Sequence, residues 1–272
     1  MFKTEFTVLM SVYSKDDPDL FDRALKSVFD NSLSASKVLI ISDGPLSPEL
    51  NAVLERYSDE PTFSLVRCEE NMGLSFALNI GLEYVDTEFT IRADSDDINC
   101  PTRFVTLIKL LQSGYDLVGS SIMEVDKSGV EIAIRKPPLN QADIKKFVKR
   151  RNPFNHMSTA FRTQVVADVG GYPNIFLKED YALWATLISR GVRMCNSDEV
   201  LVHATTGQDF YKRRGGIRYA VAEIAMQRHL VSSGLKNKFS ALFDGVLRSL
   251  VFLAPGKVRE FVYVNFLRRR IR

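Results

Sequence analysis

The sequence lacks the features that would place it in several large classes of protein. Its 272 residues include only three cysteines, Cys68, Cys100 and Cys195, which lie far apart and form no CxxC pair. That spacing argues against a disulfide framework or a zinc site and fits a reducing compartment. No apolar run is long enough to span a bilayer, and the first residues contain no apolar signal-peptide segment. We therefore expect a cytoplasmic protein, either free or peripheral on the inner face of the cell membrane.

The chain also has little net charge, but the charge is unevenly distributed. A formal net charge of +3 is too small to indicate a nucleic-acid-binding protein, so no nucleic acid is expected as a partner. Between Leu230 and Arg272, however, nine Lys/Arg stand against two acids, which gives this tail +7. Apolar patches at 239–242, 246–253 and 261–267 alternate with the cations. The pattern predicts an interfacial helix on an anionic membrane surface or a helical pair packed on the domain, and both can hold together.

No linker or internal repeat divides the chain, and a hydrophobic content of 45% is enough for one substantial core. Periodicity predicts strands over 6–12, 37–42, 63–67 and 89–93, alternating with helices over 18–29, 47–57 and 74–85. Such alternation is typical of an α/β fold with an open, mostly parallel sheet flanked by helices. Beyond residue 115 it weakens into an α+β pattern. There we expect strands over 116–125, 130–134 and 157–161, and helices over 141–151 and 180–190.

Polar residues follow the predicted parallel strands where a ligand would bind. In open α/β sheets ligands occupy the crevice beyond the carboxyl ends of the strands. Ser11 and Tyr13, Asp43, and the acidic run Asp94–Asp97 should therefore converge there. In an extended segment Asp94 and Asp96 would lie on one side and Asp97 on the other, and two same-side carboxylates suit a hard divalent cation.

An acidic run of this kind has a plainer interpretation. A lone D-x-D is more often a solvated turn, with Asp97 or Asn99 as the N-cap of a helix that begins near Pro101. Neighbouring motifs favour the metal site instead.

Those motifs together resemble glycosyltransferase family 2. They occur in order, over roughly residues 5–225: Val8–Tyr13, Ser42–Gly44, Asn71–Asn79, Arg92–Asp97, Pro101–Arg103 and Lys178–Trp184. The resemblance implies a GT-A (Rossmann-like) fold and an inverting, metal-dependent hexosyltransferase. It is nearest to bacterial members that assemble O-antigen or exopolysaccharide units, including the amylovoran-biosynthesis type. Where many members have Asp-Asp-Gly-Ser after the second strand, this chain has Ser42-Asp43-Gly44-Pro45, so one Asp must serve the base contact alone.

The resemblance also implies roles for individual residues in binding the nucleotide sugar. Ser11, Tyr13 and Asp43 would line the base, with Asp43 accepting from the pyrimidine N–H. Asn71 and Gly73 would lie where the chain passes close to the nucleotide. Asp96, supported by Asp94, would hold Mn²⁺ or Mg²⁺ against the diphosphate. Asp94 would lie near the ribose or the metal, and Asp97 would support either role. Ser95 would belong to the same nucleotide-sugar site, and Arg92 and Arg103 would balance the local charge.

The acceptor side needs a proton acceptor, and the acidic pair Glu179–Asp180 is the candidate. A carboxylate can remove the acceptor hydroxyl's proton, and burial or a neighbouring carboxylate raises its pKa. We assign the base to Asp180 and an orienting role to Glu179, although acids at a helix N-terminus are also simply stabilising. His156, Trp184 and His203 are weaker candidates for acceptor contacts. Arg213 and Arg214, in a basic Gly-containing loop, either contact a diphosphate or belong to a solvated charge run.

These observations define one functional hypothesis. Residues 1–228 form the transferase domain, with a donor half over about 1–115 and an acceptor half over about 116–228, and residues 229–272 form a basic amphipathic tail that attaches to the membrane surface. The expected reaction moves glucose or galactose from a UDP-sugar to a sugar–diphosphate–polyprenyl acceptor, with a β-1,3 linkage.

Several alternatives remain open. The enzyme could use another nucleotide sugar or a protein or lipid acceptor. The chain could instead be a non-catalytic nucleotide-sugar-binding protein. A sugar-nucleotide pyrophosphorylase is disfavoured, because no Gly-rich phosphate loop follows the first strand.

Overall fold

A computed structural model describes residues 4–206 and 215–255. Its strands are β1 Phe6–Val12, β2 Lys37–Ser42, β3 Phe63–Arg67, β4 Phe89–Ala93, β5 Ile98–Asn99, β6 Leu117–Val125, β7 Glu131–Arg135, β8 Ala160–Arg162 and β9 Met194–Thr205. Its helices are α1 Pro18–Phe29, α2 Pro48–Arg56, α3 Leu74–Glu83, α4 Arg103–Gln112, α5 Gln141–Phe147, α6 Thr163–Ala167, α7 Glu179–Ser189, α8 Ile217–Ser232 and α9 Lys238–Leu253, with a 3₁₀ turn at His156–Ser158.

One sheet connects all the described strands, in the order β3-β2-β1-β4-β8-β6-β9-β5, with β7 pairing to β6. The first four strands in this order are parallel. β8 runs antiparallel to both β4 and β6, and β6 and β9 are again parallel. The expected α/β class with a mostly parallel sheet is confirmed, and the mixed second half agrees with the weakened alternation after residue 115.

Strand alternation divides the hydrophobic core between the two faces of the sheet. Val8 and Met10 of β1 pack with α1, α2 and α4 on one face, whereas Leu9 packs with α3 and α7 on the other. Local signals start the first helices: Asp17 caps α1 ahead of Pro18, and Ser47 caps α2. The second face also buries Trp184, which is 0% exposed.

Several predicted boundaries in the second half are wrong. The strand expected over 157–161 is a 3₁₀ turn followed by the three-residue β8. The helix expected over 141–151 ends at Phe147, and residues 148–150 continue as a turn. Residue 228, the predicted edge of the transferase domain, lies within α8, which packs against α7 and α9. The division of the chain there stays a prediction. Within the described ranges, no helix combines the length and apolar character needed to cross a membrane.

Candidate active site

The carboxyl ends of three neighbouring parallel strands meet at one edge of the sheet. The register pairs Val12 with Ser42 and Met10 with Ala93, so β1, β2 and β4 end together. Tyr13, Asp43 and Asp94 each directly follow one of these strands. The half-buried Ser11 lies near the end of β1. The predicted convergence on one crevice edge is confirmed.

The turn after β4 brings three carboxylates together. Oxygen atoms of Asp94, Asp96 and Asp97 all lie within 4.8 Å of one another. Residues 94–97 form a turn and not an extended segment, so the expectation that Asp97 points away from the other two is wrong. Three carboxylate oxygens at this spacing are the donors that a hard divalent cation such as Mn²⁺ or Mg²⁺ takes.

Asp97 is the most deeply buried member of the cluster, at 4% exposure. Its Oδ1 accepts a hydrogen bond from the backbone N–H of Thr205 at 2.8 Å, whereas its Oδ2 is buried without a hydrogen-bond partner. Desolvation, followed by the charges of Asp96 and Asp94, raises the pKa of Asp97 well above its ordinary value. A buried oxygen without a partner beside two carboxylates fits a cation-binding cluster.

The plainer interpretation of Asp97 and Asn99 as helix caps is not supported. The residue at the N-cap of α4 is Thr102, and no side chain caps that helix. The amide of Asn99 instead donates to Ser27 Oγ at 2.8 Å. Both residues therefore tie the acidic turn to other parts of the fold.

Asp16, on the loop after β1, belongs to the same cluster of charge. It accepts a hydrogen bond from Ser95 Oγ at 2.8 Å, which joins that loop to the acidic turn. Burial, with the charges of Asp94 and Asp16, raises the pKa of Asp96 to about 7. Burial also raises the pKa of Asp16. Four neighbouring carboxylates give the site a strongly negative potential, which a divalent cation would offset.

Two buried arginines lie beneath the acidic turn. Arg92 is 2% exposed, and its Nη2 lies 2.5 Å from Asp94 Oδ1. Arg103 is fully buried, and its Nη2 donates to the Arg92 carbonyl at 2.5 Å. Desolvation lowers the pKa of Arg103 to about 9, which still leaves it charged at neutral pH beside Asp94 and Asp97. Both arginines therefore bring positive charge to the acidic turn, and their role in binding the nucleotide sugar stays a prediction.

Asp43 organises the loop that enters α3. Its 5% exposed carboxylate accepts from the backbone N–H of Met72 at 2.8 Å and from that of Gly73 at 3.0 Å. The side-chain amide of Asn71 donates to the Asp43 carbonyl at 3.1 Å. Gly73 has a φ of +95°, which glycine adopts without strain. Three residues assigned to nucleotide binding are thus joined in one loop, at whose edge Tyr13 is 40% exposed.

The acidic pair forms the first turn of α7. Asp180 Oδ2 accepts from the side-chain amide of Asn152 at 2.5 Å, and its Oδ1 accepts from the backbone N–H of Tyr181 at 2.7 Å. Burial, followed by the charge of Asp180, raises the pKa of Glu179 to about 7. One carboxylate is therefore held in a fixed orientation, and its neighbour changes protonation near neutral pH.

Three aromatic rings, those of His156, Tyr172 and Trp184, pack together between the acidic turn and the acidic pair, and we call them the aromatic wall. His156 Nε2 is 3.3 Å from Tyr172 Oη. Desolvation, followed by the charge of Arg92, lowers the pKa of His156, whereas the charges of Asp180 and Asp94 act in the opposite direction. His156 therefore lies near both groups of carboxylates. Trp184 packs behind His156 and has no exposed surface, so it supports the wall and does not contact an acceptor directly.

The remaining predicted residues lie at different distances from the cluster. His203 lies within β9, paired with Ile98, the residue after Asp97. It is therefore one strand away from the acidic turn. Arg213 and Arg214 lie outside the described residues.

Three residues of the site carried no signal that sequence reasoning used. Asp16 follows β1 in an acidic pair with Asp17, and its link to Ser95 is visible only in three dimensions. Asn152 and Thr205 act through hydrogen bonds to Asp180 and Asp97 that span 28 and 108 residues. Asp16 could have been identified from its position soon after a strand that ends at the crevice. Neither Asn152 nor Thr205 belongs to a recognisable motif.

An open α/β sheet with a carboxylate cluster beyond β4, a nucleotide-side loop at Asp43 and an acidic pair on α7 defines a glycosyltransferase of the GT-A fold. Solved structures agree with this fold. Staphylococcus aureus TarS 1–349 in complex with UDP-GlcNAc has a TM-score of 0.71 at 15% identity, covering 97% of this chain and 76% of that one. The mannosyltransferase PcManGT from Pyrobaculum calidifontis, in complex with GDP-Man and Mn²⁺, has a TM-score of 0.62 at 14% identity, covering 97% and 85%.

Sequence comparison identifies the family. The model named "Glycosyl transferase family 2" matches residues 7–171, and the chain belongs to that family. It is 36% identical, over 97% of each chain, to the Escherichia coli UDP-Gal:alpha-D-GlcNAc-diphosphoundecaprenol beta-1,3-galactosyltransferase. It is 33% identical to the amylovoran biosynthesis glycosyltransferase AmsE of Erwinia amylovora, over 95% of this chain and 97% of that one.

Proposed function

We propose that this enzyme transfers a hexose, galactose or glucose, from a UDP-sugar to a sugar–diphosphate–polyprenyl acceptor in bacterial O-antigen or exopolysaccharide synthesis. We further propose that it inverts the anomeric carbon and forms a β-1,3 linkage. The observation that carries the proposal is the acidic turn and the pair Glu179–Asp180 beside one aromatic wall. The E. coli relative named for such a transfer supports the choice of donor and acceptor.

On the donor side, the residues divide between nucleotide and diphosphate. Tyr13 and the loop held by Asp43 receive the uridine, and the acidic turn receives the diphosphate end. Asp96 and Asp94 would hold Mn²⁺ or Mg²⁺, with Asp97 as a third oxygen donor. When bound, the cation would neutralise the diphosphate as negative charge builds on this leaving group.

On the acceptor side, Asp180 is the proton acceptor. As the acceptor oxygen bonds to the anomeric carbon, the bond from that carbon to the diphosphate breaks and its electron pair leaves with UDP. The hydroxyl proton passes to Asp180, which Asn152 holds in place. Burial raises the pKa of the neighbouring Glu179 to about 7, so this second carboxyl group becomes charged near neutral pH. A lipid-linked acceptor also implies work at the inner face of the cell membrane, as a peripheral protein.

The test is a donor screen against a synthetic GlcNAc–diphosphate–lipid in the presence of Mn²⁺. We expect transfer from UDP-galactose or UDP-glucose, with the new linkage read by NMR. Asp180→Asn should retain UDP-sugar binding and lose transfer, because the amide keeps the shape but cannot take the proton. Absence of both transfer and hydrolysis with every UDP-sugar would refute the functional assignment. Full turnover by Asp180→Asn, together with an inactive Glu179→Gln, would assign the base to Glu179.

A further inference from the structure

Helix α9 packs against the protein with Ala241, Gly245 and Phe252 and exposes most of its large apolar residues. Ala241 and Gly245 are buried, and a Cβ on Gly245 would lie 3.5 Å from Gln227 Cγ of α8. After the first turn, where Lys238 and Ser240 are also exposed, every exposed position is large and apolar. The exposed apolar residues of the whole helix, 51–87% exposed, are Phe239, Leu242, Phe243, Val246, Leu247, Leu250 and Leu253. A helix that only packs on its domain has the reverse arrangement.

Helix α8 extends this apolar surface. Ile217, Val221 and Ile224 are 74%, 59% and 42% exposed. Ile224 also lines a groove of about 610 Å³ between the two helices, with Leu242, Val246 and Leu250 on the opposite side. We call the seven residues of α9 and these three residues of α8 the hairpin apolar face. Soluble monomers seldom expose a contiguous apolar surface of this extent, and such surfaces mark contact sites.

The charges around the hairpin apolar face indicate what contacts it. Arg228 and Lys238 line the groove. Beyond the described residues, the sequence 256–272 contains six Lys/Arg and one Glu. Apolar side chains bordered by cations match a bilayer with anionic headgroups, since the apolar groups enter the acyl boundary while the cations stay with the phosphates.

The dimensions of α9 fix the mode of contact. Its 16 residues are fewer than the roughly 20 needed to cross a bilayer, and the helix lies against α8. We propose that the hairpin apolar face lies in the interface of an anionic membrane and docks the enzyme there.

The hairpin adjoins the catalytic helix, so docking would place the active site near the bilayer. The ring of Tyr219 on α8 is 6.5 Å from that of Phe176, just before α7. Lys178 Nζ lies 6.0 Å from the ring of Phe252 on α9. The docking role rests on the proposed function, because an acceptor confined to a bilayer is reached only by an enzyme held at that bilayer.

Vesicle flotation of the full-length protein tests the surface directly. We expect binding to vesicles of phosphatidylcholine with phosphatidylglycerol, weakening as salt rises and much weaker to phosphatidylcholine alone. Phe243→Asp with Leu247→Asp should lower binding roughly tenfold or more, because the hairpin apolar face loses two of its exposed apolar side chains and gains negative charge. The matched control, Val130→Asp with Ile132→Asp, alters exposed apolar residues at and just before β7 and should bind as the wild type does. Equal binding by both double variants would overturn the proposal.

Two other occupants of the face give different results. If a second copy covers it, light scattering shows a dimer that Phe243→Asp with Leu247→Asp dissociates, and vesicle binding is absent. If residues 256–272 cover it, replacing Arg268, Arg269 and Arg270 by Gln raises vesicle binding. We expect a monomer and a loss of binding on that replacement, since it removes positive charge that attracts anionic lipid.

An activity assay separates failure of this surface from failure of the proposed function. With an acceptor carrying a short, water-soluble chain, Phe243→Asp with Leu247→Asp should transfer sugar at the wild-type rate. With the polyprenyl acceptor in vesicles, it should lose most of its activity. Loss with both acceptors would overturn the docking role. If the wild type uses neither acceptor, the proposed function fails, and flotation still decides the surface.

Discussion

Asp43 holds Gly73 in place: its Oδ2 accepts from the Gly73 backbone N–H at 3.0 Å, while its Oδ1 accepts from that of Met72 at 2.8 Å. The family resemblance gives the same carboxylate a contact with the pyrimidine ring. The two roles are compatible, because a carboxylate can accept about four hydrogen bonds. Asp43 therefore couples the shape of the loop before α3 to base recognition.

We predict that Asp43→Asn weakens both the fold and donor binding. The amide offers one acceptor oxygen where the loop presents two N–H donors, so a buried donor loses its partner, at about 1–3 kcal/mol of unfolding free energy. Thermal denaturation and calorimetric titration with UDP measure the two effects. The control is Asp86→Asn, which removes an exposed ion pair with Lys37 at the opposite edge of the sheet. Unchanged UDP affinity in Asp43→Asn would remove Asp43 from the base site.

The acidic turn should bind a divalent cation through Asp96. We expect Mn²⁺ with UDP to raise the melting temperature, since a ligand at about 100 times its Kd stabilises the fold by about 2.7 kcal/mol. Asp96→Asn should abolish that rise. Glu88→Gln, which changes an exposed carboxylate before β4, should retain it. An Asp96→Asn protein that still shows the full Mn²⁺-dependent rise would exclude Asp96 as a ligand.

The donor half of the fold could be predicted because its signals are local. Each early strand is a continuous apolar run, and the parallel order places Tyr13, Asp43 and Asp94 at one edge. The turn geometry that brings Asp97 to Asp94 could not be predicted, because strand alternation does not apply once the strand ends at Ala93. Partners such as Thr205 depend on pairing between distant segments, which no local pattern encodes.

The second half was less predictable for a related reason. β8 has three residues, too few to show a period, and its neighbours β4 and β6 determine its place. Helix α4 has an apolar stripe at Phe104, Leu107 and Leu111, which is a local signal of a helix within an otherwise weak pattern. The inverted packing of α9 could not be read from the sequence, because an apolar stripe does not state which side faces the protein.

The pH dependence of sugar transfer should follow the ionisation of Glu179. Its pKa is about 7 against an ordinary 4.5, raised mainly by burial. At saturating Mn²⁺, we expect kcat to rise with pH through about 7, as ionised Glu179 increases the negative potential at the proton acceptor. The raised pKa also means that the folded state loses stability as pH rises from 4.5 to about 7, because ionisation is then less favourable in the folded than in the unfolded chain.

Glu179→Gln is the matched variant for this dependence. It should remove the step near pH 7 from the kcat profile while keeping measurable transfer. A step that persists unchanged in Glu179→Gln would assign the titration to another group.

A buried carboxylate on α8 should control the position of the acidic pair. The side chain of Glu223 is 1% exposed, with Oε2 3.3 Å from Lys178 Nζ and Oε1 3.4 Å from Arg248 Nη1. Lys178 directly precedes Glu179, and Leu177 before it has a φ of +55°, a left-handed conformation that costs a non-glycine residue roughly 1–2 kcal/mol. The ion pair holds this strained segment, and with it the start of α7.

We therefore predict that Glu223→Gln lowers kcat several-fold and leaves UDP affinity unchanged, because the donor loop around Asp43 lies elsewhere. The melting temperature should also fall, since Lys178 and Arg248 lose a shared partner. A double-mutant cycle with Lys178→Gln measures the coupling, and the control Glu124→Gln changes a carboxylate on β6. If Glu223→Gln and Lys178→Gln have additive effects on kcat, the two residues do not act together, and α7 is positioned by packing alone.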